Sequence, residues 1–126
     1  QHPWYPGTGL IHETGSGAGK NTTLNYPLPS GTGMELIGNA FRSDFTKRMK
    51  DYKPDLVIIS AGFDSRAGDP LGQFQLSDED FASLTKILAE IAGEFAESRL
   101  VSVLEGGYNQ SGLAKAVASH LEALLD

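Results

Sequence analysis

The sequence has no cysteine, which excludes a disulfide framework and a metal site built from thiolates. The absence of cysteine does not fix the cellular compartment. Basic side chains are also scarce, because 10 lysines and arginines stand against 16 aspartates and glutamates and leave a formal net charge of -6. This acidic balance argues against a direct nucleic-acid partner, since such a surface needs a basic stripe.

Long apolar runs are missing as well. No stretch of the sequence approaches the length of about 20 residues that a membrane-spanning helix needs, and no signal peptide is recognisable. Internal repeats and low-complexity tracts are also absent. We therefore expect a single domain with no membrane partner and a cytoplasmic location.

Residues 1–20 form a loop rich in glycine and proline, with two large aromatic side chains at Trp4 and Tyr5. Domains rarely begin with an unattached aromatic loop. This start indicates either a processed or flexible terminus or a fragment whose first part is missing. Lys20 does not belong to a phosphate-binding loop, because that motif needs Ser or Thr where Asn21 stands.

The segment after this loop predicts a short strand and then a helix. Residues 22–26 are the strand candidate, closed by two prolines. Thr32 and Glu35 have the spacing of a capping box, which marks the start of a helix. Apolar side chains then recur at near-helical spacing and predict one buried face. They are Met34, Ile37, Phe41, Phe45 and Met49.

Residues 55–104 predict a strand–helix–strand unit. The two strands, residues 56–60 and 100–104, are apolar on both faces, which is typical of strands buried inside a parallel sheet. Between them, Ser77 and Asp80 have the spacing of a helix cap, and an apolar helical stripe follows. A crossover of this kind makes the two strands parallel neighbours.

Two polar side chains follow the ends of these strands. Asp64 follows the first strand, and Tyr108 follows the second directly after Gly106 and Gly107. Because parallel strands end at one edge of the sheet, both side chains are predicted to face the same crevice. An aspartate there can bind a metal or act as a base, and a tyrosine can donate a hydrogen bond to an oxyanion. Purely structural roles, a turn cap for Asp64 and ring packing for Tyr108, fit the spacing at least as well.

A last helix is predicted from Ser111 onward. His120 lies near its apolar face and is interpreted as a partly buried helix histidine, because nothing pairs with it at the spacing of metal ligands. His2 and His12 lie in the first loop and form no pair on a helix face. The residues alone therefore supply a single convincing candidate for a metal ligand, Asp64.

Four sequence blocks in chain order resemble the histone deacetylase superfamily, and its bacterial acetylpolyamine amidohydrolases and acetoin-utilisation proteins in particular. The blocks are YPGTG at residues 5–9, NYPLP at 25–29, SAGFD at 60–64 with AGDPLG at 67–72, and LEGGYN at 104–109. The resemblance implies an α/β class chain with a three-layer α/β/α arginase/deacetylase-like fold and a mostly parallel sheet. It also implies zinc-dependent hydrolysis of acetyl-lysine or acetylated amines.

The same resemblance implies roles for five residues. Asp64 corresponds to the later of the two aspartates that hold the zinc together with a histidine. Tyr108 corresponds to the catalytic tyrosine that polarises the acetyl carbonyl. The implied substrate-binding residues are Tyr5 in the wall of the acyl-lysine tunnel, Leu71 at its mouth and Gly107 beside the reacting carbonyl.

The sequence also departs from the family pattern, because the paired histidines of the general base and the Asp-x-His segment with the other zinc ligands are missing. We therefore expect residues 1–126 to be the C-terminal part of one deacetylase-like catalytic domain, with a loop region at 1–20 and an α/β core at 21–126. The parent is expected to be a zinc enzyme. The 126 residues alone are expected to be inactive, to hold no tightly bound zinc, and to form a homo-oligomer through exposed sheet or loop surface. The alternative is a non-catalytic α/β module that binds a ligand or a partner without a zinc site.

Overall fold

A computed structural model describes the whole chain, residues 1–126. The helices and strands are α1 Met34–Ala40, α2 Thr46–Tyr52, β1 Val57–Ala61, α3 Asp78–Phe95, β2 Leu100–Leu104 and α4 Gln110–Leu125. A 3-10 turn spans Gly17–Gly19, and a π-helical turn spans Phe41–Phe45. None of the helices combines the length and the apolar character that crossing a bilayer requires.

The strand predicted at residues 22–26 is wrong, since this segment pairs with no strand. It is held by scattered hydrogen bonds to the first loop instead. The Asn25 amide donates to the carbonyl oxygens of Leu10 and Glu13, at 3.1 and 2.9 Å. The Thr23 N–H donates to the Thr14 carbonyl oxygen at 3.2 Å, but these bonds do not form a ladder.

The helix predicted after this segment is present in three consecutive parts, namely α1, the π turn and α2. The apolar residues Ile37, Phe41 and Phe45 are spaced four residues apart. This spacing is longer than the α-helical repeat of about 3.6 residues, so in a regular α-helix these side chains would drift around the helix axis. A π turn, with i→i+5 hydrogen bonds, accommodates this drift. The Thr46 hydroxyl follows the same spacing and donates to the Phe41 carbonyl oxygen at 2.7 Å.

The capping box predicted for this helix at Thr32 and Glu35 is wrong. The helix starts after Gly33, which has no side chain to accept an N–H group. The Thr32 hydroxyl donates to the carbonyl oxygen of Pro29 at 2.7 Å and so belongs to the preceding turn. The first turn of α1 is therefore left without a side-chain cap.

β1 and β2 pair in parallel, which confirms the predicted strand–helix–strand unit. β1 begins one residue later than predicted, at Val57. The aligned pairs are Val57–Leu100, Ile58–Val101, Ile59–Ser102, Ser60–Val103 and Ala61–Leu104. The ladder continues past both strands, because the Glu105 N–H donates to the Ala61 carbonyl at 3.0 Å and the Phe63 N–H donates to the Gly106 carbonyl at 2.9 Å.

The crossover helix α3 begins with the predicted capping box. The Ser77 hydroxyl oxygen accepts from the Asp80 N–H at 3.3 Å, and the Asp80 carboxylate accepts from the Ser77 N–H at 2.8 Å. The helix then packs along α4, with Phe81 and Ile91 buried. The predicted apolar stripe therefore forms the core face of α3.

The core lies on the helix-covered face of the sheet. Ile37 from α1, Phe81 from α3 and Ala116 from α4 gather around Ala61 and Phe63 at the end of β1. The rings of Phe63 and Phe81 pack with their centroids 5.0 Å apart. A cavity of about 280 Å³ with a largely apolar lining remains between these elements.

The opposite face of the sheet is open. Ile58 is 63% exposed, and Val101 and Val103 are each 49% exposed. The burial on both faces that the apolar strands predict for a complete sheet is therefore not reached in these residues, and one face forms the exposed sheet surface expected of a partial domain. The reason is that α1, α3 and α4 all contribute their buried side chains to the same face.

His120 on α4 is buried, which confirms its interpretation as a helix histidine. Its Nδ1 lies 2.6 Å from the Thr85 hydroxyl of α3, and its Nε2 lies 2.8 Å from the Ser102 hydroxyl of β2. Thr85 uses its only hydroxyl hydrogen on the Phe81 carbonyl oxygen, at 2.6 Å, so the proton in the Thr85–His120 bond belongs to Nδ1. Ser102 then donates to Nε2, and the neutral ring joins two helices to the sheet.

Candidate active site

Asp64 follows the end of β1 and lies in a cradle of backbone built by three glycines. A Cβ at Gly106 would lie 2.8 Å from both Cγ and Oδ2 of Asp64, and a Cβ at Gly62 would lie 3.0 Å from Oδ1. A Cβ at Gly72 would overlap the main-chain oxygen of Asp64. Backbone from three segments therefore closes around this residue, and no larger residue fits at these positions without moving it.

The half-buried Asp64 lines a small, polar pocket of about 130 Å³. The other lining residues come from the first loop and from the segment after β1. They are Gln1, Trp4, Ser65, Gly72, Gln73 and Phe74. The first loop is held at this place because the Gln73 N–H donates to the Gln1 side-chain oxygen at 3.0 Å and the His2 N–H donates to the Leu28 carbonyl at 2.7 Å.

The predicted tunnel residues lie at the surface around this pocket. Tyr5 is 89% exposed and Leu71 is 52% exposed. Trp4, which the sequence interpretation assigned no role, lines the pocket beside Asp64 in place of its neighbour Tyr5. The substrate-binding roles of Tyr5 and Leu71 stay predictions.

Tyr108 lies at the same sheet edge as Asp64, because each follows the carboxyl end of its strand and the strands are parallel, as predicted. The residue is 55% exposed. Gly107 before it has a φ of +135°, and a Cβ there would lie 2.7 Å from Leu113 Cδ1 and 3.1 Å from Phe63 Cβ. Both the backbone angle and the packing require glycine, so the tyrosine loop runs close over the core. The predicted place of Gly107 beside the substrate carbonyl is not tested by these contacts.

Asp69 connects the loop after β1 to the loop after β2. Its Oδ2 accepts the main-chain N–H of Tyr108 at 2.8 Å, and its Oδ1 accepts the N–H groups of Leu71 and Gly72 at 2.8 and 2.9 Å. This role of Asp69 was not predicted from the sequence. A Gly-Asp-Pro turn signals only the local bonds, since aspartate commonly accepts N–H groups two or three residues ahead.

Asn109 makes a second tie between the same loops. Its side-chain Nδ2 donates to the Gly68 carbonyl at 3.0 Å. Its Oδ1 accepts the Gly112 N–H at 3.0 Å and so caps α4. The helix accordingly begins at Gln110, one residue before the predicted start at Ser111.

The side chains of the chain do not complete a metal site. No group of three His, Cys, Asp or Glu side chains converges anywhere in the structure, and Asp64 is the one carboxylate that lines the polar pocket. Catalytic zinc normally has three protein ligands and an open position. Residues 1–126 by themselves therefore do not fit zinc, whereas the fixed carboxylate of Asp64 fits one ligand position.

Comparison with known proteins identifies the family. The model of the histone deacetylase domain matches residues 1–124. The chain belongs to the histone deacetylase family. It is 42% identical to "Histone deacetylase 10, chloroplastic" of Oryza sativa subsp. japonica, over 96% of this chain and 27% of the relative. It is 38% identical to a "Probable deacetylase" of Archaeoglobus fulgidus, over 89% of this chain and 31% of the relative.

Solved histone deacetylase structures share the fold. The crystal structure of the HDA15 HD domain superposes with a TM-score of 0.90 at 33% identity, over 98% of this chain and 34% of that one. The histone deacetylase Clr3 gives a TM-score of 0.88 at 34% identity, over 97% of this chain and 20% of that one. The α/β arginase/deacetylase-like fold class predicted from the sequence is therefore confirmed. The chain spans about a third or less of the length of these relatives and solved structures.

Proposed function

We propose that these residues form the C-terminal part of the catalytic domain of a zinc-dependent deacetylase that hydrolyses acetyl-lysine or acetylated amines. The observation that carries the proposal is the shared sheet edge of Asp64 and Tyr108, in a chain that the histone deacetylase model matches over residues 1–124. Because the chain spans only part of its relatives, the activity is proposed for a longer polypeptide that contains it.

Tyr108 is the proposed oxyanion donor. Its half-exposed ring stands beyond the end of β2, at the edge that also carries Asp64. A phenolic hydroxyl placed against an acetyl carbonyl donates to the negative charge that develops on that oxygen when a nucleophile adds. The main chain before it packs tightly, because a Cβ at Gly107 would meet Leu113 and Phe63, so the backbone that carries the donor is in place before substrate arrives.

Asp64 is the proposed zinc ligand of this segment. Its glycine cradle brings backbone close around the carboxylate and so limits the directions in which it can point, as suits a ligand that must meet a metal at a set distance. The other ligands and the general base would come from elsewhere in the longer polypeptide, since this chain contains no converging set. Zinc, when bound, supplies Lewis acidity toward the substrate carbonyl.

A non-catalytic α/β module that binds a ligand or partner is the second candidate. The observation that favours it is the lack of three converging metal ligands within the chain. The two candidates differ in one respect that an assay reads directly, namely zinc-dependent turnover by the full polypeptide.

The decisive experiment measures zinc content and hydrolysis together in variants of the full polypeptide. Tyr108→Phe is expected to keep zinc and to lose turnover by about 10²–10³-fold, the usual loss for one oxyanion donor. Asp64→Ala is expected to lose both zinc and turnover. Tyr52→Phe is the matched control, because Tyr52 is an exposed tyrosine at the end of α2 and should change neither.

Unchanged turnover in Tyr108→Phe would contradict the role given to that hydroxyl. A full polypeptide that binds no zinc and hydrolyses no acetylated amine would favour the binding module. The assay uses acetyl-lysine peptides and acetylated polyamines side by side, because the family resemblance of the motifs extends to both substrate classes. A cytoplasmic location is part of the proposal and is checked by cell fractionation.

A further inference from the structure

All hydrogen-bond partners of the Asp69 carboxylate are main-chain N–H groups. They lie in both loops of the proposed site, the one after β1 beside Asp64 and the one after β2 that carries Tyr108. One oxygen accepts from the Tyr108 N–H and the other from the N–H groups of Leu71 and Gly72. Gly72 is itself part of the Asp64 cradle, because a Cβ at this position would overlap the Asp64 main-chain oxygen. A single side chain therefore ties the backbone of Tyr108 to the backbone that holds Asp64.

We propose that Asp69 is a positioning residue for Tyr108, because its hydrogen bonds hold the main chain that carries the tyrosine ring in place relative to the main chain around Asp64. The proposal rests on the proposed deacetylase function, since it concerns the placement of the oxyanion donor. Asp69 does not touch the reacting atoms in this role and acts through the tyrosine alone.

No hydrogen bond within the chain holds the Tyr108 side chain itself. The ring is half exposed, and its hydroxyl forms no hydrogen bond to another residue of the chain. The main chain at residue 108 sets the point from which the ring extends, and the Asp69 bond attaches at that main-chain N–H. A shift of the loop there moves the base of the ring and so the region that the hydroxyl can reach, and a displacement of about 1 Å in a reacting group costs on the order of 100-fold in rate.

The chemistry of the side chain suits this task. An ionised carboxylate only accepts hydrogen bonds, so both of its oxygens can face N–H groups at once. Burial acts to raise the pKa of Asp69, but the backbone N–H donors, Tyr108 foremost, outweigh it and hold the pKa below its ordinary value. An asparagine would turn its NH₂ group toward one of these donors and break the tie on that side.

The test is a double-mutant cycle in the full polypeptide with zinc. Asp69→Asn is expected to lower kcat by about 10- to 100-fold and to leave KM within about threefold. In the Tyr108→Phe background the same substitution is expected to change kcat by less than about threefold, because the group it positions is already gone. Equal losses in both backgrounds would overturn the proposal.

Asp80→Asn is the matched control. It removes a carboxylate-to-N–H bond of the same length, 2.8 Å, from the cap of α3. This variant is expected to lower stability without lowering kcat. Asp69→Glu, which keeps the charge but shifts the oxygens by one methylene, provides a second variant if Asp69→Asn does not fold, and it should lose less kcat than Asp69→Asn.

A second readout needs no activity. Hydrogen exchange of the Tyr108 amide is expected to accelerate by at least about tenfold in Asp69→Asn, while the amide of Val103 inside β2 keeps its rate. An unchanged Tyr108 exchange rate would overturn the proposal. If the exchange rises as expected but the unmodified polypeptide hydrolyses no acetylated amine, the proposed function fails and the Asp69 tie stands.

Discussion

The glycines around Asp64 let the backbone come close to its carboxylate. An added methyl group would sit 2.8 Å from the carboxylate at Gly106, closer than real Cβ contacts, and 3.0 Å from Oδ1 at Gly62, tighter than most of them. Neither contact is a hydrogen bond. The space open to the Asp64 carboxylate, a candidate metal ligand, is thus limited by the backbone of neighbouring glycines. These glycines matter for the site although they carry no functional group.

Gly106→Ala is predicted to displace the Asp64 carboxylate. The new Cβ would meet Cγ and Oδ2 at 2.8 Å, so the carboxylate has to rotate away. We expect at least about a tenfold loss of deacetylation in the full polypeptide, in line with the cost of a misplaced reacting group. Overpacking should also lower the free energy of unfolding by about 1–3 kcal/mol.

Gly93→Ala is the control for this prediction. Gly93 lies in α3, where a Cβ would come no closer than 4.0 Å to its nearest neighbour, the Ser98 Oγ. This variant should keep full activity and gain up to about 1 kcal/mol of stability, since alanine favours a helix over glycine. Equal activity losses in the two variants would show that the cradle has no special role.

Among the secondary-structure elements, α4 is joined to α3 and β2 through the polar centre formed by His120, Thr85 and Ser102. Both partners of the imidazole are neutral hydroxyls, and the edge of the Phe63 ring packs beside it. No carboxylate is in position to stabilise an imidazolium. The centre is therefore suited to a neutral ring alone.

Stability is predicted to fall below about pH 6.5, the ordinary pKa of histidine. Burial lowers the pKa of His120 in the folded state, so the unfolded chain binds the proton first as the pH drops. The contribution of the neutral ring is fully present above the unfolded pKa and is lost as the pH falls toward the folded pKa. Urea unfolding between pH 5 and 8 measures this slope.

His120→Gln should flatten that slope, whereas His12→Gln, at an exposed loop histidine, should leave it unchanged. A slope that survives in His120→Gln would assign the pH dependence to other groups.

The cap of α3 gives another prediction at this scale. Ser77→Ala removes the hydroxyl that accepts the Asp80 N–H and should cost about 1 kcal/mol of unfolding free energy. Ser83→Ala, on the same helix, removes a hydroxyl that donates only to the Glu79 carbonyl within the helix. It should be neutral or slightly stabilising, because alanine is the better helix former. A comparable loss in both variants would contradict the capping role.

The β1–α3–β2 unit was predictable because its signals are local. Apolar runs, the Ser77–Asp80 spacing and the crossover rule together give the parallel pair, and the parallel pair gives the shared edge of Asp64 and Tyr108. The π turn was not predictable, because one π turn changes the spacing of apolar residues along a helix only slightly. The Asp69–Tyr108 bond joins residues 39 positions apart and leaves no mark in either local sequence.

As a whole, the molecule has a sheet with helices on one face only. Ile58, Val101 and Val103 form an apolar open face, and both outer edges of the two-stranded sheet lack a partner strand. Unpaired edges and apolar patches favour association with another chain. We therefore propose that the isolated 126-residue chain associates with a second copy through this face.

Light scattering after size exclusion tests this. The isolated chain is predicted to shift from monomer to oligomer as its concentration rises, and Val101→Lys on the open face should weaken the shift. Ala114→Lys, at an exposed position on α4, introduces the same charge away from the sheet and should not. A chain that stays monomeric at every concentration, with strongly protected strand amides, would show that the open face needs no cover.

The hydrogen bonds that extend the β1–β2 ladder beyond the strand ends have a consequence for how the sequence can change during evolution. They lock the backbone before Asp64 and the backbone before Tyr108 in one register, through the Phe63–Gly106 and Glu105–Ala61 bonds. Tyr5 and Leu71 lie outside that ladder, on exposed loops. Under the proposed function, inherited substitutions at Tyr5 and Leu71 would change which acyl group or amine is accepted while the register of the backbone before Asp64 and Tyr108 is kept, so substrate choice and chemistry would evolve separately.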